Sequence, residues 1–413
     1  MWKKPYGYAE GFAVCAGLFL TGLLLQFING KTGSAFLTFP YNLISGGIIA
    51  AVPLAVFLFF RKSAFYAWLS SVKSAIPAII SLLVLVVIMG LTRQAPSSET
   101  LDSGVLERIF GFSQMTSSWA FSLLMVFFMI ILLLVILKRI TAFRWRDTGF
   151  MLNHSGLFIA LFSAIFGSGD LQRLSMTVQK GQMQWQAQTE KGETVELPLA
   201  IELKQFTIYE YPPKLMILDN LTGKALPENN PENLLVERSP MTGELAGWNI
   251  RVSKYLQYAG QMVTGDTVRY FEYHSEGAVD AVYASAENRK TGAKAEGWVS
   301  CGNFMFPFAA LQLNDKASLI MPPVEPRRYS SDVTVYQKDD KTVEGVVEVN
   351  RPLAAGGWKI YQSSYDQTMG RWSEISIFQL VRDPWLPYVY AGIFMMLAGA
   401  LWLFIFAPKK LEE

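Results

Sequence analysis

Long apolar runs, separated by short polar loops, occupy the first part of the chain, and one more apolar run lies near its C-terminus. There are six such runs, at 11–28, 43–60, 74–91, 119–137, 150–167 and 387–407. Each is close to the roughly 20 apolar residues that cross a bilayer core about 30 Å thick. The pattern therefore predicts six membrane-spanning helices.

The basic residues in the short loops predict how these helices are oriented. They are concentrated in alternate loops, namely at Lys3, Lys4, Arg61, Lys62, Lys73, Lys138, Arg139, Arg144, Arg146, Lys409 and Lys410. With six spans these positions share one side, whereas the opposite short loops hold only Lys31, Arg93 and Arg108. Because cytoplasmic loops carry the excess of lysine and arginine, we expect both termini in the cytoplasm and residues 170–384 exported.

The exported region has the period-two alternation of β-strands. The predicted strands are Val195–Tyr211, Trp248–Tyr258, Asp266–Tyr273, Val279–Ser285, Ser331–Gln337, Thr342–Asn350, Trp358–Ser364 and Glu374–Val381. Turn signals such as Asn220–Gly223 and Ala354–Gly357 separate them, and no long amphipathic helix is evident. We expect a mainly antiparallel, sandwich-like β domain inserted before the last span of a helical membrane bundle.

The chain thus divides into four predicted segments. Residues 1–73 form two N-terminal spans, 74–169 form spans three to five, 170–384 form the β domain, and 385–413 form the last span and a tail. The composition agrees with a membrane protein, because 51% of residues are hydrophobic and only 17% are charged. The net charge of +2 argues against a nucleic-acid partner.

Two histidines and two cysteines restrict the possible chemistry. Cys15 and Cys301 lie in different segments, so we expect no disulfide between them, and the chain has no CxxC motif. His274 follows a predicted strand and is interpreted as a solvated turn residue. No HExxH, GxSxG or P-loop sequence is present, so the chain does not resemble a hydrolase.

His154 lies about one turn into span five, and an ionisable side chain at membrane depth is a functional candidate. One interpretation is a hydrogen bond to a neighbouring helix; the other is axial ligation of haem iron by neutral imidazole. On the second, the small residues Ser155 and Gly156 would let a flat macrocycle approach the helix. Arg144 and Arg146 would then contact the haem propionates, although membrane topology alone also accounts for basic residues there.

Sequence motifs near the C-terminus resemble those of the ResB family, also called CcsB, of system II cytochrome c maturation. The resemblance is most specific in EVNRPLAAGGWKIYQSSYDQ and VRDPWLPYVYAGIFMMLAG. The matching positions are Val349, Asn350, Pro352, Leu353, Tyr361, Gln362, Ser363, Ser364, Tyr365, Asp366, Arg382, Asp383, Pro384 and Gly392. Tyr329–Val333, Leu197–Ile201, Phe206, Ser117–Trp119 and His154–Gly156 are also similar, so the resemblance covers roughly residues 74 to 407. Most of these residues are expected to specify the fold.

The resemblance implies a haem-handling subunit in a bacterial inner membrane. Such a subunit moves haem b outward as cargo, with His154 as axial ligand, for attachment to CxxCH apocytochromes c. It implies a CcsA-type partner with a tryptophan-rich WWD segment, which carries the ligase chemistry, and a thioredoxin-like thiol reductant as a transient partner. The family usually has four spans, so the first two are additional here. A permease without a cofactor and a cytochrome b-like electron carrier remain as alternatives.

Overall fold

The structure is a computed structural model, and it describes residues 4–33, 35–94, 110–265 and 267–406. The helices are α1 (Tyr8–Asn29), α2 (Tyr41–Phe60), α3 (Ala64–Leu69), α4 (Val72–Leu91), α5 (Trp119–Ile140), α6 (Thr148–Phe166) and α7 (Leu386–Phe406). All except α3 are long and apolar enough to cross a membrane, and this indicates a multi-pass membrane protein. Lys3, Arg108, Lys409, Lys410 and Asp266, used in the predictions above, lie outside the described residues.

The chain separates into two compact units. One contains Met1–Gln172 and Arg382–Glu413, and the other contains Arg173–Val381. In the first unit, henceforth the membrane unit, α1 packs against α4 and α5, while α6 packs mainly against α7. Cys15 of α1 is buried in the apolar core of this bundle, so the first additional span is an integral part of it.

The described residues contain seventeen strands. All of them lie in the second unit, the β domain, apart from the border residues Gln172 and Arg382. They are β1 (Gln172–Gln179), β2 (Met183–Thr189), β3 (Thr194–Glu210), β4 (Lys214–Asp219), β5 (Leu234–Leu235), β6 (Met241–Leu245), β7 (Trp248–Thr264), β8 (Thr267–Glu272), β9 (Val279–Asn288), β10 (Lys294–Ser300), β11 (Leu311–Asn314), β12 (Ala317–Ile320), β13 (Pro326–Gln337), β14 (Thr342–Glu348), β15 (Leu353–Ala355), β16 (Trp358–Tyr365) and β17 (Ile375–Arg382).

These strands form three sheets. The eight-stranded sheet has the order β14-β13-β3-β2-β1-β17-β16-β15, a five-stranded sheet has β10-β9-β7-β6 with β8 beside β7, and a four-stranded sheet has β11-β12-β4-β5. One apolar core lies on the eight-stranded sheet, and a second is shared by the two smaller sheets. A membrane bundle with a mainly antiparallel β domain before the last helix confirms the predicted fold class.

The eight predicted strands are all present, with shifted ends. The turn predicted at Ala354–Gly357 is also present, because Ala355 pairs with Trp358 across a two-residue loop. Both loop residues have positive φ, 56° at Gly356 and 80° at Gly357, a conformation that glycine adopts without strain. Nine of the described strands were not predicted, namely β1, β2, β4, β5, β6, β10, β11, β12 and β15. Among them, β1 has a clear alternation of buried and exposed positions.

Candidate functional site

His154 projects from α6 as a half-buried imidazole fixed by its own helix. Its Nδ1 lies 3.0 Å from the Phe150 carbonyl oxygen, and its ring stacks on the Phe150 ring with centroids 3.8 Å apart. A carbonyl oxygen only accepts hydrogen bonds, so Nδ1 carries the proton and the neutral ring presents its lone pair at Nε2. Nε2 has no protein partner among the described residues.

The surface around Gly156 is filled by α7. A Cβ atom added to Gly156 would stand 2.6 Å from the Gly392 carbonyl oxygen and 2.9 Å from the Met395 Cβ. The interpretation that Gly156 opens the helix to a macrocycle is therefore wrong, because the missing side chain admits a neighbouring helix instead. The Nε2 atom of His154 remains without a protein partner among the described residues.

Four glycines set the close approach of α6 and α7. Gly149 and Gly156 on α6 face α7, while Gly392 and Gly399 on α7 face α6; each pair is seven residues apart. Small residues at such spacing let two helix backbones pack tightly in a membrane. This contact holds α6, and with it His154, on the last span.

Arg144 and Arg146 are both exposed, and neither side chain forms an ion pair in the described part of the chain. Arg139 is instead the basic residue connected to the histidine. Its guanidinium forms an ion pair of 2.5 Å with Asp147 and lies 5.4 Å from the centroid of the Phe150 ring, which stacks on His154. In the sequence, Arg139 bears only on the predicted topology. Its position near the end of α5, eight residues before Asp147, is nevertheless a signal for this ion pair.

Asp170 connects three elements at the other end of α6. Its carboxylate accepts hydrogen bonds from the Phe39 backbone N–H (2.7 Å), the Asn42 side-chain amide (2.6 Å) and the Trp385 indole N–H (2.8 Å). Partial burial raises the pKa of Asp170, but these three donors outweigh it and lower the pKa below its ordinary value. The ionised carboxylate therefore ties α2 and the start of α7 to the end of α6.

Several of the family-like residues build the core of the β domain. The buried Ser331 hydroxyl lies 2.6 Å from Gln362 Oε1 and 2.7 Å from the Ser376 hydroxyl, so three strands share one polar network. The centroid of the Tyr365 ring lies 5.0 Å from that of the Tyr329 ring and 5.1 Å from that of the Phe206 ring. These contacts support the expectation that the motif specifies the fold.

The other family-like residues of the β domain lie in strands and turns around this core. Asn350 is in the turn after β14, Pro352 precedes β15, and Tyr361, Ser363 and Ser364 are in β16. Asp366 follows β16, where its Oδ1 accepts a hydrogen bond from the Thr368 backbone N–H at 2.9 Å. None of these positions lies in the membrane unit that carries His154.

Arg382 and Asp383 do not form an ion pair with each other. Asp383 Oδ1 instead accepts hydrogen bonds from the backbone N–H groups of Trp385 (3.1 Å) and Leu386 (3.0 Å), as a helix N-cap does. Pro384 lies two residues before α7 begins at Leu386, so its missing N–H removes no hydrogen bond from the helix. The motif thus ends β17 and starts α7, and the Arg382 guanidinium has no ion-pair partner among the described residues.

A buried charged cluster in the β domain was not predicted. Arg371, in the turn between β16 and β17, is in an ion pair with Asp280 of β9 and lies 2.6 Å from the Glu210 carboxylate at the end of β3. The Tyr255 hydroxyl donates to Asp280 at 2.7 Å. Burial raises the pKa of Glu210, and the nearby Asp280 charge adds to this effect while Arg371 opposes it. The cluster joins the eight-stranded to the five-stranded sheet.

The remaining candidates carry no visible chemistry. His274 is exposed in the loop after β8, as expected, and its ring lies 5.6 Å from that of Tyr258. Cys15 and Cys301 are both free, and burial raises the pKa of Cys301 to about 11, which makes its thiol unreactive. Within the described ranges, no three His, Cys, Asp or Glu side chains are grouped so as to hold a metal ion.

Comparison with known families supports the motif analysis. Residues 288–374 match the ResB-like family, and this confirms the resemblance found in EVNRPLAAGGWKIYQSSYDQ. The second motif, VRDPWLPYVYAGIFMMLAG, lies beyond the matched residues. The matched residues begin at the end of β9 and stop just before β17, so they lie in the β domain and do not include His154. A comparison with curated proteins finds no match.

Proposed function

We propose that this chain is the haem-handling subunit of a membrane cytochrome c synthetase, delivering haem b across the inner membrane for attachment to CxxCH apocytochromes. The observation that carries the proposal is the free Nε2 of His154, in a ring whose tautomer is fixed by the Phe150 carbonyl. Metal-ligating histidines characteristically donate a hydrogen bond from the N–H of their other ring nitrogen to such an acceptor. This bond orients the ring and raises the basicity of the ligating nitrogen.

The family match supports the biological setting of this proposal. A ResB-like β domain indicates a component of cytochrome c biogenesis. The distribution of Lys4, Arg61, Lys62, Lys138 and Arg139 favours a cytoplasmic location for the loops next to the N-terminal end of α6. On this orientation His154 lies near the inner leaflet, where haem made in the cytoplasm enters, and residues 170–384 are exported.

Basic residues beside the site suit the haem propionates. Guanidinium groups bind carboxylates with two parallel hydrogen bonds. Arg139 is already held against Phe150, whereas Arg144 and Arg146 are exposed nearby in sequence. We assign the first propionate contact to Arg139 and treat Arg144 and Arg146 as outer contacts.

The attachment chemistry is assigned to a partner. His154 supplies one axial ligand. We assign the second to another chain, and a CcsA-type protein with a WWD segment suits that role. Thioether formation also requires reduced cysteines in the apocytochrome, which a thioredoxin-like reductant would maintain. On this proposal, the chain contributes the haem site at His154, near the cytoplasmic face, and the exported domain.

The test is the optical spectrum of the chain purified with its membrane partner. Because the chain has only two histidines, His274→Ala is a matched control for His154→Ala. We expect a Soret band in the wild type and in His274→Ala, and its loss in His154→Ala. A colourless wild-type complex, or an unchanged band in His154→Ala, would contradict the proposal.

A further inference from the structure

A cleft of about 880 Å³ opens in the membrane unit at the Asp170 end of α6. Its volume is in the range of about 300–1,000 Å³ that is usual for small-molecule sites. Three elements supply its mostly apolar, aromatic-rich wall: the start of α2, the second half of α6, and the start of α7. The apolar wall residues are Phe39, Leu43, Ile159, Phe162, Trp385 and Tyr388.

Asp170 holds this wall together. Through its three hydrogen bonds it fixes Phe39, the Asn42 amide and the Trp385 indole around the end of α6. Both of its carboxylate oxygens are thereby occupied. Asp170 lines the cleft as a positioning residue and does not pair with the arginine that also lines it.

Arg382 gives the cleft its binding chemistry. It is exposed, it lines the cleft, and no carboxylate lies within ion-pair distance of it in the described part of the chain. An unpaired guanidinium beside aromatic side chains is suited to a molecule with an apolar, planar body and a carboxylate.

We infer that the cleft receives the porphyrin after it leaves His154, with a propionate on Arg382 and the macrocycle against the aromatic wall. The inference rests on the proposed function and adds a second position for the same cargo. Phe162 lies eight residues beyond His154. At about 1.5 Å per residue this is about 12 Å along α6, so the two positions are distinct.

Metal-free protoporphyrin tests the cleft without using the histidine, because it has no iron to ligate. We would titrate it by fluorescence against the chain purified with its partner, in the wild-type and His154→Ala backgrounds. Arg382→Gln should weaken binding about tenfold, which corresponds to about 1.4 kcal/mol. Arg93→Gln, an exposed arginine outside the cleft, should leave binding unchanged.

Two further measurements keep the result interpretable. The dimethyl ester of the porphyrin lacks the carboxylates, so its weaker binding should not respond to Arg382→Gln. Should Arg382→Gln fail to fold, Tyr388→Ala removes an aromatic wall residue that is 59% exposed, and it should also weaken binding. Both variants should retain the haem that depends on His154.

Equal protoporphyrin binding by Arg382→Gln and wild type would overturn the inference. The inference would also be overturned if phosphatidylglycerol displaced the porphyrin and the Arg382→Gln variant lost bound lipid. The cleft would then be a phospholipid site. Neither result affects the Soret test of His154. Conversely, a colourless complex that still binds protoporphyrin through Arg382 would remove the proposed function and leave a porphyrin site.

Discussion

Gly156 on α6 lies directly against the backbone of Gly392 on α7. A methyl group on Gly156 would stand 2.6 Å from the Gly392 carbonyl oxygen, and one on Gly392 would stand 2.6 Å from the Gly156 carbonyl oxygen. The two helices therefore touch through their main chains, and neither backbone can yield to a side chain without separating from the other. His154 is two residues from this contact.

We predict that Gly156→Ala destabilises the membrane unit. The added Cβ meets backbone atoms, which cannot rotate away, so the cost should reach the upper part of the 1–3 kcal/mol range typical of overpacking, about 3 kcal/mol. Thermal unfolding of the chain in detergent measures it. Gly17→Ala on α1 is the matched control, because nothing lies within 4 Å of an added Cβ there. Equal stability of the two variants would contradict the contact.

Arg139 should matter more for haem retention than Arg144. Arg139→Gln removes the charge that lies over Phe150, whereas Arg144→Gln removes an exposed charge that contacts no ring. We expect a several-fold lower haem-to-protein ratio for Arg139→Gln, with Arg144→Gln close to wild type; a pyridine haemochrome assay of the purified complex measures both. If Arg144→Gln lowered the haem-to-protein ratio more than Arg139→Gln, the propionate contact would be with Arg144, as predicted from the sequence.

The Arg139 variant also breaks the ion pair with Asp147, so folding needs its own control. Asp147→Asn breaks the same pair and keeps the Arg139 charge. If the ion pair matters only for folding, the two variants should lose haem equally. A loss confined to Arg139→Gln would show that the guanidinium itself holds the cargo.

The buried cluster predicts a pH dependence of stability. Burial raises the pKa of Glu210 above its ordinary value of 4.5, so the folded state binds this proton more tightly than the unfolded chain. Its contribution to stability is therefore complete below the ordinary value and is lost as the pH rises through the raised pKa. Glu210→Gln is neutral throughout, so its free energy of unfolding relative to wild type should increase as the pH rises from about 4.5 through the raised pKa of Glu210.

Denaturant unfolding of the full chain, followed by tryptophan fluorescence, measures this difference at both ends of the pH range. Glu244→Gln serves as the control, because it removes an exposed ion pair with Arg289 and should change the free energy of unfolding by only about 0–1 kcal/mol. A relative stability of Glu210→Gln that falls as the pH rises would show that the ionised carboxylate is favoured in the fold.

The polar network of the β domain gives a fourth prediction. Ser331→Ala leaves Gln362 Oε1 without its hydrogen-bond donor in a buried position, which should cost about 1–3 kcal/mol. Ser363→Ala, in the same motif but with an exposed side chain, should be close to wild type. Denaturant unfolding compares the two. Equal effects would mean that the network does not specify the fold.

The sequence predicted the six spans because hydropathy over some twenty residues is a local property. It located His154, but it did not show that Gly156 faces another helix, because that partner is more than two hundred residues away. Arg371 and Asp280 are likewise 91 positions apart. By contrast, strand β1 could have been predicted, since Leu174, Met176 and Val178 alternate with polar residues. The sequence did not reveal contacts between residues far apart in the chain, such as the helix contact of Gly156 and the Arg371–Asp280 ion pair.

The close packing of α6 on α7 sets an order for biosynthesis. The ribosome completes α6 early, yet its glycine-lined face has no partner until the whole of residues 173–381 has been synthesised and α7 has emerged. Until then the glycine-lined face of the helix bearing His154 is not covered by α7. The helix that bears His154 is thus fully packed only when α7 inserts, so a chain truncated before its C-terminal helix would leave the glycine-lined face of α6 uncovered.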